Sequence, residues 1–385
     1  MPWPTQPQWE LPADGHLYHS ARRGLTEALV PAGSPSNHAA TLVQLPGGDL
    51  LASWFGGSDE GNPDISLWVS RLDQHTGVWE AARQVTDDPD RSDQNPGLFL
   101  ASPEELWLVY PAQLARRPDR HETFNLQHTA EIRRSRSTDG GRTWAAPEVM
   151  LDRPGSFSRQ PIQILESGRW ILPTWICFDD DTKNGSDITV IQISDDAGRS
   201  WTGVDVPSSA GCVHANVVEL TPGELVALFR SRYADRIYIS RSRDNGDSWS
   251  PPRPTVLANN NSSIAAIKLP SGRLGVVYND LSFSAVRGQV FWPYERPALT
   301  IAVSDDAGLS FPWRRLIEPG DGFTGYGNRR SNHRHEYPAA LVDAHEDIHV
   351  LWSYHSRECL KHAFFDEAWI EGVPQQLTGD CKLWT

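Results

Sequence analysis

The sequence predicts an all-β chain closed into a six-bladed β-propeller, and three observations carry that prediction: a composition suited to turns and two internal repeats. In 385 residues there are 30 Gly, 29 Pro and 16 Trp but only 2 Met, a mixture that favours frequent chain reversals and short aromatic-rich strands over long helices. The first repeat is Ser-x-Asp-x-Gly-x-x-Trp. It occurs at Ser137–Trp144, Ser194–Trp201 and Ser242–Trp249, then from Ser304 with Phe311 in the last place, and in worn form from Ser70 to Trp79. Its chemistry is that of a turn: Ser and Asp oxygens accept local backbone N–H groups, Gly takes a left-handed conformation, and the ring fills the gap between strands. No catalytic role is expected for these aspartates.

The second repeat is an apolar strand, a turn and a second strand, first seen from His38 to Ala52. It recurs with openings at Asn95, Arg159, His214, Ser263 and Tyr337. Six such units, most followed by a further strand and an Asp turn, predict six four-stranded blades in radial order. The whole chain, 1–385, is expected to be one domain, with the propeller at 36–365, an N-terminal arm at 1–35 and a C-terminal arm at 366–385. The last unit, Tyr337 to Tyr354 plus Leu360 to Phe365, is one strand short, and the segment His19–Val30 is the expected supplier. Residues 1–15 and 371–385 are expected to lie at the periphery.

Charge and length exclude some functions. Thirty-five Lys and Arg against 49 Asp and Glu give a net charge of −14, which argues against a nucleic-acid partner. No apolar run approaches the roughly 20 residues that would cross a bilayer, so no membrane partner is expected. The start, Met1-Pro2-Trp3-Pro4, lacks the basic and apolar regions of a secretory signal, and the expected location is the cytoplasm. Cys177, Cys212, Cys359 and Cys381 show no CxxC spacing and read as free thiols.

In a propeller the residues that open the inner strands converge at one mouth of the central channel. Here they are His38, Asn95, Arg159, His214, Ser263 and Tyr337. Channel mouths tolerate polar groups, but an arginine, two histidines and a tyrosine together bring cations, a base and a phenol to one place, as an anionic substrate requires.

The Asp-turn repeats, the six units and the segments around Arg230, Arg296 and Tyr337 resemble the sialidase (neuraminidase) superfamily across about residues 36 to 365. That resemblance implies arginines that hold a substrate carboxylate, a tyrosine nucleophile assisted by a glutamate, and an aspartate acid/base. Tyr337, in Glu336-Tyr337-Pro338-Ala339, matches the nucleophile; Arg230, ending Leu228-Phe229-Arg230, matches the second arginine; Arg296 matches the third. Two positions depart from the pattern. His38-Ala39-Ala40 replaces the opening Arg-Ile-Pro, and His214 stands where the glutamate is expected. The loop Gly57–Asp64 offers Asp59, Glu60 and Asp64 as acid/base candidates. Arg159 is the candidate stand-in for the missing first arginine, and Asn95 and His335 complete the expected substrate-binding set.

Three functions fit these residues. A glycosidase of the sialidase kind would act on a terminal acidic sugar, with His214 assisting Tyr337. A lyase would use His38 or His214 to remove the proton beside a uronate carboxylate, for example at a rhamnose–glucuronate linkage, and Tyr337 to protonate the leaving oxygen. A sugar-binding propeller without catalysis is the third. No cofactor is expected. His38, His214, His333 and His335 raise a catalytic divalent cation as an alternative, without diagnostic spacing.

Specificity is expected in three insertions: 111–130, with Arg116, Arg117, Arg120 and His121; 281–295, with Phe283, Phe291, Trp292 and Tyr294; and 318–335, a lid candidate. Asn259-Asn260-Asn261-Ser262 reads as a turn or as a set of donors to sugar hydroxyls.

Overall fold

The computed structural model describes residues 11–20, 23–117, 125–283, 288–319 and 334–372. Among these residues, six antiparallel sheets of four or five strands follow one another in chain order as the blades of a propeller. The fourth blade shows the plan in its simplest form, with Cys212–Thr221 innermost, then Glu224–Ser231, Arg236–Ser242 and Arg253–Ala258. Second strands such as Leu50–Gly57 and Trp170–Ile176 are buried along their whole length, because a blade in a ring is covered on both faces and loses the one-sided alternation of an open sheet. The apolar contacts run from blade to blade. Leu299, Ile301, Val350 and Trp352 pack the fifth blade on the sixth, and Trp54, Leu50, Ala28 and Leu351 pack the first on the sixth.

The ring closes through the N-terminal segment. Leu25–Val30 pairs antiparallel with Cys359–Phe365, and Tyr18–Ser20 adds a further strand outside it. A buried ion cluster marks this seam: Lys361 Nζ lies 2.6 Å from Glu318 Oε2 and 3.2 Å from Glu27 Oε1. The expected arms therefore need correction at both ends. Gly15 and Leu17 already exchange backbone hydrogen bonds with Trp79 and Gly77 of the first blade. At the other end, the helical turn Glu367–Glu371, capped by Asp366, buries Trp369 and Ile370 in the core between the fifth and sixth blades. In both places apolar side chains find a blade edge to cover.

The Asp turns adopt the geometry expected of them. In the second blade Ser137 Oγ donates to Asp139 Oδ1 at 2.8 Å and accepts Gly141 N at 2.8 Å, while Asp139 Oδ1 accepts the N–H groups of Arg142 and Thr143 at 2.9 Å. The same pattern recurs at Ser194, Ser242 and Ser304. Gly198 shows why the motif needs glycine: its φ is +74°, and a Cβ there would lie 2.7 Å from the Trp107 ring. Each turn follows a third strand, so alternating strand direction puts it at the opposite end of the ring from the inner-strand openings. Cys177, Cys212 and Cys359 are free thiols; Cys381, like the lid centre 320–333 with His333, and like Arg120 and His121, lies outside the described residues.

At the mouth, three inner strands slip register at their leading ends, between His38 and Thr41, Val213 and Asn216, and Glu336 and Ala339. Ala39, His214 and Tyr337 take φ of +56°, +52° and +50° there. Bulges of this kind kink a strand and re-aim its side chains, and each non-glycine residue held this way costs about 1–3 kcal/mol, which the surrounding packing must offset. At these three positions the strain falls where an inner strand meets the channel mouth.

Candidate functional site

Tyr337 is the centre of the mouth. Its ring lies 4.1 Å from the His38 ring and meets the His214 ring edge-on at 5.4 Å. Arg230 Nη1 donates to the phenol oxygen. The guanidinium carbons of Arg230 and Arg296 each stand 5.4 Å from the ring centre. Burial by itself would raise the phenol pKa, but the charges of Arg230 and Arg296 outweigh burial and the opposing charge of Glu60, and hold it below its ordinary 10.0.

Arg230 is fully buried. Its Nε donates to Asn261 Oδ1 at 2.7 Å, and its Nη2 has no partner among the described residues. Burial and the neighbouring arginines lower its pKa to about 9 despite the opposing pull of Tyr337, so it remains a cation at neutral pH. Its Nη1 also lies 3.3 Å from His214 Nε2. A guanidinium can only donate, so His214 Nε2 must accept, and the imidazole proton sits on Nδ1, 3.1 Å from Ser263 Oγ. His214 is thus a neutral ring, stacked on Trp175 at 4.4 Å, whose lone pair is already engaged. The expectation that it serves Tyr337 as a base is corrected accordingly.

His38, by contrast, keeps one ring nitrogen open. Its Nδ1 faces Ser353 Oγ at 2.9 Å and Glu336 Oε2 at 3.4 Å, which places the proton on Nδ1, and its buried Nε2 has no partner among the described residues. Burial first, then the charge of Arg357, keep His38 neutral well below 6.5.

Glu336 organises the opposite wall. It is fully buried, accepts a hydrogen bond from Arg357 Nε at 2.8 Å, and forms ion pairs with Arg296, whose Nη1 lies 3.2 Å away, and with Arg334. Burial would raise its pKa, yet these three cations hold it ionised, well below 4.5. Beside Arg230, Arg232 pairs with buried Asp187 at 3.1 Å. Trp292 covers both guanidiniums, at 5.3 and 4.8 Å. Asn261 ties this roof to the site, since its Nδ2 donates to Phe291 O at 2.7 Å. The Asn259–Asn261 run therefore braces the aromatic loop and Arg230.

Other expected residues fall elsewhere. Arg159 reaches across the axis, and its Nη2 donates to the carbonyls of Ala40, Tyr337 and Pro338 at 3.0, 3.1 and 3.2 Å. It braces the first and sixth blades under the tyrosine, which corrects its expected role as a carboxylate clamp. In the acidic loop, both oxygens of Asp64 accept from Ser58, so Asp64 is a turn residue. Asp59 is largely exposed and pairs with Arg116 at 2.7 Å. Glu60 is the member of the loop whose charge reaches Tyr337; Asn125 Nδ2 and Arg357 Nη1 donate to it, each at 2.9 Å. Asn95 opens the second blade with φ +39° and is buried. His335 is fully buried, its ring 5.6 Å from Tyr354 and its charge acting on Glu318, which corrects its assignment to the substrate wall. Among the described residues, no three His, Cys, Asp or Glu side chains are grouped to hold a metal ion.

Sequence reasoning passed over Glu336, Arg357, Arg232 and Asp187. The readable hint was adjacency: Glu336 directly precedes Tyr337, and Arg232 follows Arg230 by two positions, just past the end of the strand Glu224–Ser231.

The site thus gathers six guanidiniums, of Arg159, Arg230, Arg232, Arg296, Arg334 and Arg357, and three carboxylates, of Asp187, Glu336 and Glu60. This is an excess of positive charge at the mouth of a chain with net charge −14, and such a field attracts anions.

Comparisons with known proteins agree with this architecture. The profile of the BNR repeat-like domain family matches residues 48–350. A sialidase of Bacteroides fragilis (strain YCH46) is 26% identical over 137 residues, 34% of this chain, and the match spans 24% of that relative's length. Among solved structures, the Hadza microbial sialidase Hz136 superposes with a TM-score of 0.71 at 17% identity, over 89% of this chain and 69% of that one. The intramolecular trans-sialidase from Ruminococcus gnavus gives 0.67 at 13% identity, over 89% and 96%. A protein of unknown function from Dyadobacter fermentans DSM 18053 gives 0.66 at 16% identity, over 88% and 97%. The likeness to these structures is one of fold.

Proposed function

For a chain that belongs to the BNR repeat-like domain family, we propose the activity of a sialidase-like glycosidase, which removes a terminal acidic sugar of the sialic or uronic acid type. One observation carries the reading: the Arg230 fork donates through Nη1 to the Tyr337 hydroxyl while its buried Nη2 is unpartnered. A sugar carboxylate accepting from Nη2 and from Arg296 would be held over the phenol in a charge-assisted, oriented contact. A carboxylate so held would bring the anomeric carbon within reach of the Tyr337 oxygen.

In this reading the phenol loses its proton to His38 Nε2, and the oxygen attacks the anomeric carbon. The glycosidic bond breaks, and the leaving oxygen takes a proton from Glu60 in its acid form. Water then displaces the tyrosine, giving one proton to the Glu60 carboxylate, while His38 returns its proton to the released phenolate. The arginines that lower the phenol pKa supply what a carboxylate base would otherwise do.

A second reading is β-elimination at a uronate. The unpartnered lone pair of His38 favours it: a neutral base can take the proton beside a carboxylate neutralised by arginines, and Tyr337 can protonate the leaving oxygen. Turnover of sialyl and glucuronyl oligosaccharides separates the two. Hydrolysis releases the saturated acidic sugar, whereas elimination produces the ultraviolet absorbance of a new carbon–carbon double bond. Tight sugar binding without either product would overturn both.

A further inference from the structure

The hairpin of the sixth blade carries a feature that the reaction as written does not use. After Tyr354, the residues His355, Ser356 and Arg357 take φ of +50°, +55° and +74° in succession. Three consecutive non-glycine residues in the left-handed region are rare, because each Cβ crowds its own backbone there. An ordinary short turn would join the two strands without this strain. The first blade holds the turn in place, since Asn37 Nδ2 lies 3.3 Å from both Arg357 O and Glu358 O.

The consequence of the turn is the direction of one side chain. Arg357 enters the mouth and spans two carboxylates, with Nε 2.8 Å from Glu336 Oε2 and Nη1 2.9 Å from Glu60 Oε2. Glu60 is 297 residues away in sequence, on the loop after the second strand of the first blade. Its other oxygen is held by Asn125 of the second blade. Glu60 is therefore fixed from two sides, while Asp59 of the same loop points to solvent.

We infer that Arg357 is a positioning residue: borne on a strained left-handed turn, it locks the Glu60 carboxylate beside Tyr337 and couples it to Glu336. The inference rests on the glycosidase reading in so far as Glu60 transfers the proton, but the lock itself is independent of turnover. A rigid ion pair keeps a loop carboxylate at a fixed distance from the reacting bond.

The test uses the full chain with 4-methylumbelliferyl glycosides of sialic and glucuronic acid. Arg357→Ala is expected to lower kcat about 100-fold, within the usual range for losing general acid–base help, with KM changed less than about threefold. Arg357→Lys, which keeps the charge without the fork, is expected to recover part of the loss. In a Glu60→Gln background, Arg357→Ala is expected to cost less than about threefold more, since two residues acting as one unit are not additive. Equal losses in both backgrounds, or an effect on KM alone, would overturn the inference. If the wild type turns over neither glycoside, the glycosidase reading fails and the lock is judged by crystal structures of the wild type and Arg357→Ala: the Glu60 carboxylate is expected to leave its place in Arg357→Ala, and a carboxylate held as in the wild type overturns the lock. Should Arg357→Ala not fold, the structure of Arg357→Lys decides by the same criterion.

Discussion

Carboxylates at the two ends of this propeller live in opposite circumstances. At the end away from Tyr337, Asp139 accepts its hydrogen bonds from residues within four positions of itself, and its carboxyl is depressed chiefly by Thr143, which outweighs a small opposing effect of burial. At the mouth, Glu336 is fully buried, and its partners come from positions 38, 296, 334 and 357. The first kind of site is made by a local turn and can be repeated in blade after blade. The second kind exists only when the ring closes. Its charges are stronger in effect because water is excluded, and less forgiving because removing one leaves others uncompensated.

The largest effect expected is on closure itself. Deleting residues 1–30 removes the strand that buries Leu25, Ala28 and Val30 and takes Glu27 from Lys361. The sixth blade should lose cooperative folding and the mouth should go with it; a sharp thermal transition in the truncated chain would contradict this. Next is Tyr337→Phe, which should lower turnover about 10³-fold while melting and sugar affinity change little, as calorimetry would show.

Arg230→Ala should weaken binding of an acidic sugar about 100-fold, the scale of losing a charge-assisted contact. It should also raise the Tyr337 phenol pKa, since a cation favouring phenolate is gone; ultraviolet difference titration against Tyr337→Phe reads that shift. A fall in the phenol pKa would refute the electrostatic account of the mouth.

Acid should strain the mouth before it reaches the Asp turns. Burial first, then neighbouring cations, depress His38 and His214 well below 6.5, so the unfolded chain takes up protons that the folded one refuses. The stability they contribute is full above about pH 6.5 and falls as pH drops through that value, by at most roughly 2 kcal/mol per histidine near pH 5. The Asp turns, whose folded pKa lies below 3.8, should weaken only below about pH 4. Urea midpoints between about pH 8 and 4 test the order. The smallest effect is Ser242→Ala, which removes the acceptor for Gly246 N at the far end and should cost about 1 kcal/mol with turnover unchanged.

This difference between the ends also explains how much was readable. The Asp turns and the strand-turn-strand units were legible because each is a short-range pattern that recurs, and the convergence of His38, His214 and Tyr337 followed once the repeats were counted, whereas Arg230 and Arg296 were found through the family resemblance. The choice among Asp59, Glu60 and Asp64 was not legible, because it depends on whether Ser58, Arg116 or Arg357 reaches each carboxylate. Nor was the fate of Arg159, whose three carbonyl partners lie on blades that come near only in the closed ring.

By itself the amino-acid order determined the blade number, the positions of the turns and the ring of polar residues opening the inner strands, since local hydrogen bonding and apolar patterning act over a few residues. Which of those polar groups became a brace, which a neutral base and which an open guanidinium was decided by tertiary structure, because a buried charge takes its role from the partners that packing brings within about 4 Å of it.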